Sequence, residues 1–195
     1  MKKFVLAAIV MMVSMSSFAQ REPGTITIQP RIGFSAADFN NTDDTSARVG
    51  MVAGAEFEYY ANNTVGIAAG LLYSQQGSEL DLKNSSEIKL KIDYINVPII
   101  ANFYIWKGLA LKTGLQPGFK VNSKISANRG DVKVEADMDD VNTFDIAVPI
   151  GISYDFGNLV LDARYNIGLL KIFDDSNFDS KNLTFQLAIG YKFKL

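Results

Sequence analysis

Glu56 and Glu58 stand two residues apart, and a pair of carboxylates is the one arrangement in this chain that could serve a carboxylate-pair hydrolase. Two apart on one strand, they point the same way, and the plainer reading makes them charges of a barrel lumen. There they would pair with Lys112 or Arg164. The sequence has neither histidine nor cysteine. That removes Ser–His and Asp–His mechanisms, a thiol nucleophile, and zinc sites built from His and Cys. Two acidic groups, Glu135, Asp137, Asp139 and Asp140, then Asp174, Asp175 and Asp179, could hold Ca²⁺. Neither has the glycine and closing glutamate of a calcium loop, so both read as solvated loops. No enzymatic activity, cofactor or metal is expected. The net charge of −2 points away from nucleic acid.

The elements that must position these charges announce themselves by a period of two. Leu183, Phe185, Leu187, Ile189, Tyr191, Phe193 and Leu195 alternate with Thr184, Gln186, Ala188, Gly190, Lys192 and Lys194. Segments 144–156 and 159–169 repeat the pattern. Such alternation means strands with one apolar face. A soluble lipocalin-like barrel would turn that face inward, a membrane barrel outward. The second face decides between them. On a soluble barrel it would carry long charged side chains. Instead it is rich in small residues: Gly50, Gly54, Gly66, Ala68, Gly70, Gly114, Gly118, Gly151, Gly168 and Gly190. Small residues suit a narrow, crowded lumen. The charges interspersed on that face are Glu56, Glu58, Lys112, Lys120, Asp162 and Arg164, and of these Glu56, Glu58, Lys112 and Arg164 form the expected structural cluster. The fold class is therefore all-β: an eight-stranded antiparallel up-and-down transmembrane β-barrel, with Leu161, Ile150, Leu187 and Ala69 facing lipid.

Alternation read against turn residues places strands near 25–37, 48–60, 64–76, 88–105, 109–121, 142–156, 158–169 and 183–194. Three connections are tight, at 61–63, 106–108 and 156–158. Four are long and polar, at 38–47, 77–87, 122–141 and 170–182. Short periplasmic turns and longer external loops have this asymmetry. One strand changes phase. Ile88, Leu90, Ile92 and Tyr94 are apolar on even numbers, Ile95, Val97, Ile99, Ala101, Phe103 and Ile105 on odd ones. Either a β-bulge lies beside Pro98 or the even set stands beyond the membrane. Phe57, Tyr59, Tyr60, Tyr104, Trp106, Tyr154, Phe156, Tyr191 and Phe193 near the tight turns, and Tyr73, Tyr94, Phe119 and Phe144 near the loops, read as two aromatic girdles. The competing explanation is the ordinary β-propensity of aromatic residues.

The chain opens Met-Lys-Lys, runs apolar from Phe4 to Val13 and reaches Ser16-Ser17-Phe18-Ala19-Gln20. This pattern reads as a secretory signal peptide over 1–19, cut after Ala19, with the barrel domain over 20–195. The apolar run is short for a membrane anchor.

Tyr94-Ile95-Asn96-Val97-Pro98, with Gly70-Leu71-Leu72-Tyr73-Ser74-Gln75-Gln76-Gly77 before it and Leu111-Lys112-Thr113-Gly114-Leu115-Gln116-Pro117-Gly118 after it, resembles the PorT-like outer-membrane β-barrel family of Bacteroidota. The ending Phe18-Ala19-Gln20 also resembles leaders of that lineage. The resemblance implies an eight-stranded barrel in the Gram-negative outer membrane. One namesake acts in type IX secretion, a role not carried over here. Gly190-Tyr191-Lys192-Phe193-Lys194-Leu195 resembles an outer-membrane assembly signal, although it ends in leucine where phenylalanine is commonest. The expected partners are outer-membrane lipid, the barrel assembly machinery during insertion, and a cell-surface or secretion-system protein. The expected role is structural or interactive, through long extracellular loops. The alternatives are a narrow porin or transport channel, a secretion-system accessory barrel, and a soluble periplasmic ligand-binding barrel.

The Asn128-Arg129-Gly130-Asp131 tip is polar and turn-like. Trypsin added to intact cells is expected to cut near Arg129 or Lys133. Cleavage only after the periplasm is opened would invert the topology.

Overall fold

Alternation of apolar and small or polar residues bends this chain into one antiparallel sheet that closes on itself. In a computed structural model, residues 21–39, 45–82, 86–129, 132–138, 141–172 and 180–195 are described. The signal-peptide reading, the Gly130-Asp131 tip, and Asp139, Asp140, Asp174, Asp175 and Asp179 lie outside them.

In chain order the strands are β1 (Ile26–Phe39), β2 (Thr45–Tyr60), β3 (Val65–Leu82), β4 (Ser86–Asn96), β5 (Ile99–Trp106), β6 (Leu109–Arg129), β7 (Val132–Asp137), β8 (Phe144–Phe156), β9 (Leu159–Lys171), β10 (Lys181–Tyr191) and β11 (Phe193–Lys194). They form eight staves, because β4 with β5 is one stave and β10 with β11 another. β1 pairs with both β2 and β10, which shuts the barrel. β7 is not a stave: it pairs with the outer end of β6. A closed sheet leaves no unpaired edge in the hydrocarbon, which membrane burial demands.

The phase change in the fourth stave is not a bulge in that stave. Leu72 faces Asn96 and Ala69 faces Ile99, so three steps on β3 match three steps across Val97-Pro98. Proline has no N–H to donate, which interrupts the ladder there. Its carbonyl still accepts from the Gly70 N–H at 3.2 Å. The bulge sits in β6 instead. Asp93 faces Asn122 and Tyr94 faces Lys120, leaving Val121 without an opposite residue. Ile92, Tyr94, Asn96, Ile100, Asn102 and Tyr104 are all buried, so even numbers face inward from Ile92 to Tyr104 on both sides of Pro98. What changes is the surroundings. Ile92 and Tyr94 pack with Val141, Ile172, Leu90 and Met138 in an apolar plug at the loop end. Odd numbers above it, such as Lys89 and Lys91, have left the lipid.

Two of the expected loops are largely strand for the same reason. β3 runs to Leu82 and β4 starts at Ser86; β6 runs to Arg129 and continues into β7. Their polarity marks the membrane boundary, beyond which both faces of a strand may be polar, and not the end of the strand.

Outward side chains are apolar. Ile150, Leu187 and Phe34 are 53%, 53% and 67% exposed, and Leu161 and Ala69 are also on this face. Phe57, Tyr59, Trp106, Tyr191 and Phe193 girdle the turn end, with Tyr73, Phe119 and Phe144 near the loop end. Three expected girdle members are not there. Tyr60, Tyr104 and Tyr94 are buried inside, where their even-numbered neighbours also point. The turns need little chain. Asn62 Oδ1 accepts from the backbone N–H groups of Thr64 and Val65, each at 2.9 Å. Gly157, φ +63°, opens the two-residue connection of β8 to β9.

An arginine on the lipid face should cost ~2–4 kcal/mol near the midplane. Leu187→Arg and Ile150→Arg are expected to lose about that much in urea unfolding from lipid vesicles. A Leu187→Arg barrel as stable as wild type would reverse the inside–outside assignment. At Gly151 the same change should fail by crowding, since even a Cβ would stand 2.5 Å from the Ala163 carbonyl and 3.0 Å from Arg164 Cγ.

Candidate functional site

The lumen is a stack of polar layers carried on the inward positions of the staves. Five charges meet in the middle. Arg164 on β9 grips Glu56 on β2 with two parallel bonds, Nη1 to Oε1 at 2.6 Å and Nη2 to Oε2 at 2.7 Å. Arg31 on β1 donates to Glu56 Oε1 at 3.2 Å and to Asp162 Oδ1 at 2.8 Å. Lys112 on β6 donates to Asp162 Oδ2 at 2.5 Å, and Arg164 Nη2 reaches the same oxygen at 3.1 Å. All five side chains are buried. An isolated charge in such a place would be strongly penalised. Here each carboxylate has two or more cationic partners, and the Arg164–Glu56 fork is the strong bidentate kind.

The next layer towards the turns is separate. Glu58 accepts from Asn102 Nδ2 at 2.6 Å and from the Tyr104 hydroxyl at 2.7 Å, and pairs with Lys192 at 2.9 Å. Lys192 also reaches Asp155 Oδ2 at 3.0 Å and the Tyr60 hydroxyl at 3.2 Å. Gly66 lies against Glu58, whose carboxylate occupies the space a Cβ would need. Towards the loops the layer is mostly uncharged. Gln76 accepts from Asn182 and Thr184, and its amide donates to Ser74 at 3.2 Å. Arg48 donates to the Gln76 carbonyl and stands 3.9 Å from Asp93. Between Asn96, Gln116, Asn166 and Asn182 the free space narrows to about 10 Å³. The apolar plug lies beyond. A recess of about 640 Å³ opens at the turn end, lined by Arg21, Thr27, Asp155, Lys192 and their neighbours.

Of the four cluster residues expected from sequence, the structure brings Glu56, Lys112 and Arg164 together, with Asp162 between Lys112 and Arg164. Glu58 belongs to the next layer and pairs with Lys192, not with Lys112 or Arg164. Arg31, Asp155 and Lys192 were missed. Arg31 shares its parity with Gly33 and Lys192 shares its own with Gly190, so the same alternation could have found both. Lys120 donates to the Val141 carbonyl at 2.6 Å, away from the cluster. Glu135 pairs with Lys91 at 2.8 Å. Among the described residues no group of acids is placed to hold a metal ion. The Glu56 and Glu58 carboxylates are enclosed by guanidinium, ammonium, amide and hydroxyl donors.

A closed eight-stave barrel with an apolar exterior and a paired polar interior defines a small outer-membrane β-barrel protein. The chain belongs to the outer membrane protein beta-barrel domain family, whose profile matches residues 18–174. Its fold is similar to that of Ail, the attachment invasion locus protein of Yersinia pestis, at 18% identity and a TM-score of 0.52, over 88% of this chain and 99% of that one. It is also similar to Neisserial surface protein A, at 16% identity and a TM-score of 0.50, over 86% and 97% of the two chains. Among curated proteins, none matches this sequence.

Removing one member of a buried ion pair strands the other, at ~3–5 kcal/mol. Arg164→Ala is expected to lose about that much by urea unfolding in lipid vesicles. The double variant with Glu56→Ala is expected to lose less than the sum of the two single losses. Additive losses would show that Arg164 and Glu56 do not act as a pair.

Proposed function

We propose that this barrel works by its surface and not by its bore: an integral outer-membrane protein with a structural or interaction role exercised through its loop end. One observation carries the reading. The lumen is filled from the Glu58–Lys192 layer, through the five-charge cluster and the amide layer, to the apolar plug of Ile92, Tyr94, Val141 and Ile172. An eight-stave interior is just wide enough for side chains to fill, and here buried charged and amide side chains fill it. At the loop end, by contrast, β3, β4, β6 and β7 carry ordered sheet past the lipid belt, a platform for a protein or saccharide partner at the cell surface. The neighbours Ail and Neisserial surface protein A are named for attachment, invasion and the cell surface, in keeping with such a role.

The Tyr94–Pro98 run and its glycine-rich flanks support the narrower PorT-like reading within Bacteroidota, for fold and location; an accessory barrel of a secretion system is the alternative role. The signal peptide cut after Ala19 and the assembly machinery as a transient partner belong to the same reading. No catalytic role is proposed, because the paired carboxylates are held by cations and no histidine or cysteine stands by.

In planar bilayers the wild-type barrel is expected to show no steady single-channel conductance. A pull-down from crosslinked membranes is expected to recover an envelope protein, and to lose it when the β6–β7 extension is removed. Steady conductance with no crosslinked partner would favour the porin.

A further inference from the structure

The first described residues do not trail away from the barrel; they fold back across its turn end. Arg21 makes three contacts there. Its guanidinium lies 3.6 Å from the centre of the Tyr104 ring. Nη1 donates to the Lys107 carbonyl at 2.6 Å, and Nη2 pairs with Asp155 Oδ2 at 3.3 Å. The side chain is left only 16% exposed, although the segment belongs to no strand. Gly24 adopts φ +86°, a backbone conformation open to glycine at little cost, and so aims its N–H at the Tyr60 carbonyl, 2.8 Å away. The Tyr60 N–H returns a bond to the Thr25 carbonyl at 3.0 Å. Glu22 pairs with Lys194 at 2.6 Å across the seam. Five residues thereby touch β2, β5, β8, β11 and the β5–β6 turn.

The seat is prepared on the barrel side. Lys107 holds φ +41°, a left-handed conformation that a lysine adopts at a cost, and it is the Lys107 carbonyl that Arg21 engages. Asp155 Oδ2 also accepts from Lys192, and the Tyr104 hydroxyl donates to Glu58. Arg21 is thus the last cation of the lumen's charge column, supplied from outside the barrel wall. An exposed ion pair at a mouth would be weak. A planar guanidinium stacked on a ring and bonded at two edges is a different matter, and one that lysine cannot reproduce.

We propose that residues 21–25 are a clasp across the turn-end mouth, anchored by the Arg21 guanidinium in a seat made by Tyr104, the Lys107 carbonyl and Asp155. The clasp forms one wall of the recess of about 640 Å³ and covers the Tyr104 face beneath it. It ties the segment before β1 to β8 and to the β5–β6 turn, on staves at least three ladder steps from β1 around the barrel. Lys192 already lines this recess with Arg21 seated; release of Arg21 removes one wall and uncovers the Tyr104 face, so occupancy of the seat sets the recess's width and depth.

The chain has no cysteine, so a spin label on Pro23→Cys reports the clasp alone. The labelled barrel is refolded into lipid vesicles, and its folded state is checked by its shifted migration on gels. The label is expected to be immobilised in the parent. It should tumble severalfold faster with Arg21→Ala, with Arg21→Lys, and with Tyr104→Leu, which removes the seat's aromatic face from the other side. Glu22→Gln, whose partner Lys194 is mostly exposed, should leave the label slow. A label already fast in the parent, or still slow with both Arg21→Ala and Tyr104→Leu, overturns the clasp. A slow label in Arg21→Lys overturns the guanidinium anchor.

Discussion

The five-charge cluster at mid-lumen is the interaction on which the rest of the structure depends. Arg31, Glu56, Lys112, Asp162 and Arg164 come from β1, β2, β6 and β9, so their bonds cross the barrel and do not merely follow the ladder. Each is deprived of bulk water, and each would be untenable alone. Compensation requires all four strands at one height and one separation. It also requires small neighbours, because long side chains fill the bore only if others do not. Gly151 beside Arg164 and Gly66 beside Glu58 are the complement of the charges they face. The glycine-rich inner face and the ion cluster are two halves of one packing solution.

The membrane imposes the opposite rule outside. Lipid has no partner for a backbone group, so every stave must be paired and the sheet must close. The ladder is irregular at two places: Pro98 interrupts the fourth stave without shifting it, and Val121 bulges on the strand opposite. Beyond the belt the lipid rule lapses. β4 then turns Lys89 and Lys91 away from the lumen and Ile92 and Tyr94 into it, and with Met138, Val141 and Ile172 these build the plug that stops the loop end of the lumen. The bore is therefore closed by two chemistries, ion pairs and amides within the membrane and hydrophobic packing above it. The Arg21 clasp adds a cation from outside the wall at the turn end.

Under the surface role proposed above, such an interior leaves function to the ends. Family membership and the shared fold fix the barrel and its place in the outer membrane. A barrel whose staves are tied across the bore by buried ion pairs is held in one register, because removing one partner leaves the other charge buried and uncompensated.

The alternation of side chains by itself determined the fold class, the strand count and which face met lipid. Period two survives whatever the partners are, so Leu187, Ile150, Leu161 and Ala69 could be placed outward without knowing any neighbour. The same parity was enough to put Glu56, Glu58, Lys112 and Arg164 inside. Which charge met which was decided only in the tertiary structure. Pairing across a bore depends on strand tilt and stagger, which shift the height of each stave by amounts no local pattern records. Glu56 and Glu58, two residues apart, therefore fell into different layers, one with Arg164 and Arg31, the other with Lys192. Aromatic composition failed at Tyr60, Tyr94 and Tyr104 because a ring suits both an interface and a crowded lumen. The ends of the strands were illegible in β3, β4 and β6 because polarity reports where lipid stops, and hydrogen bonding carries the sheet past that point.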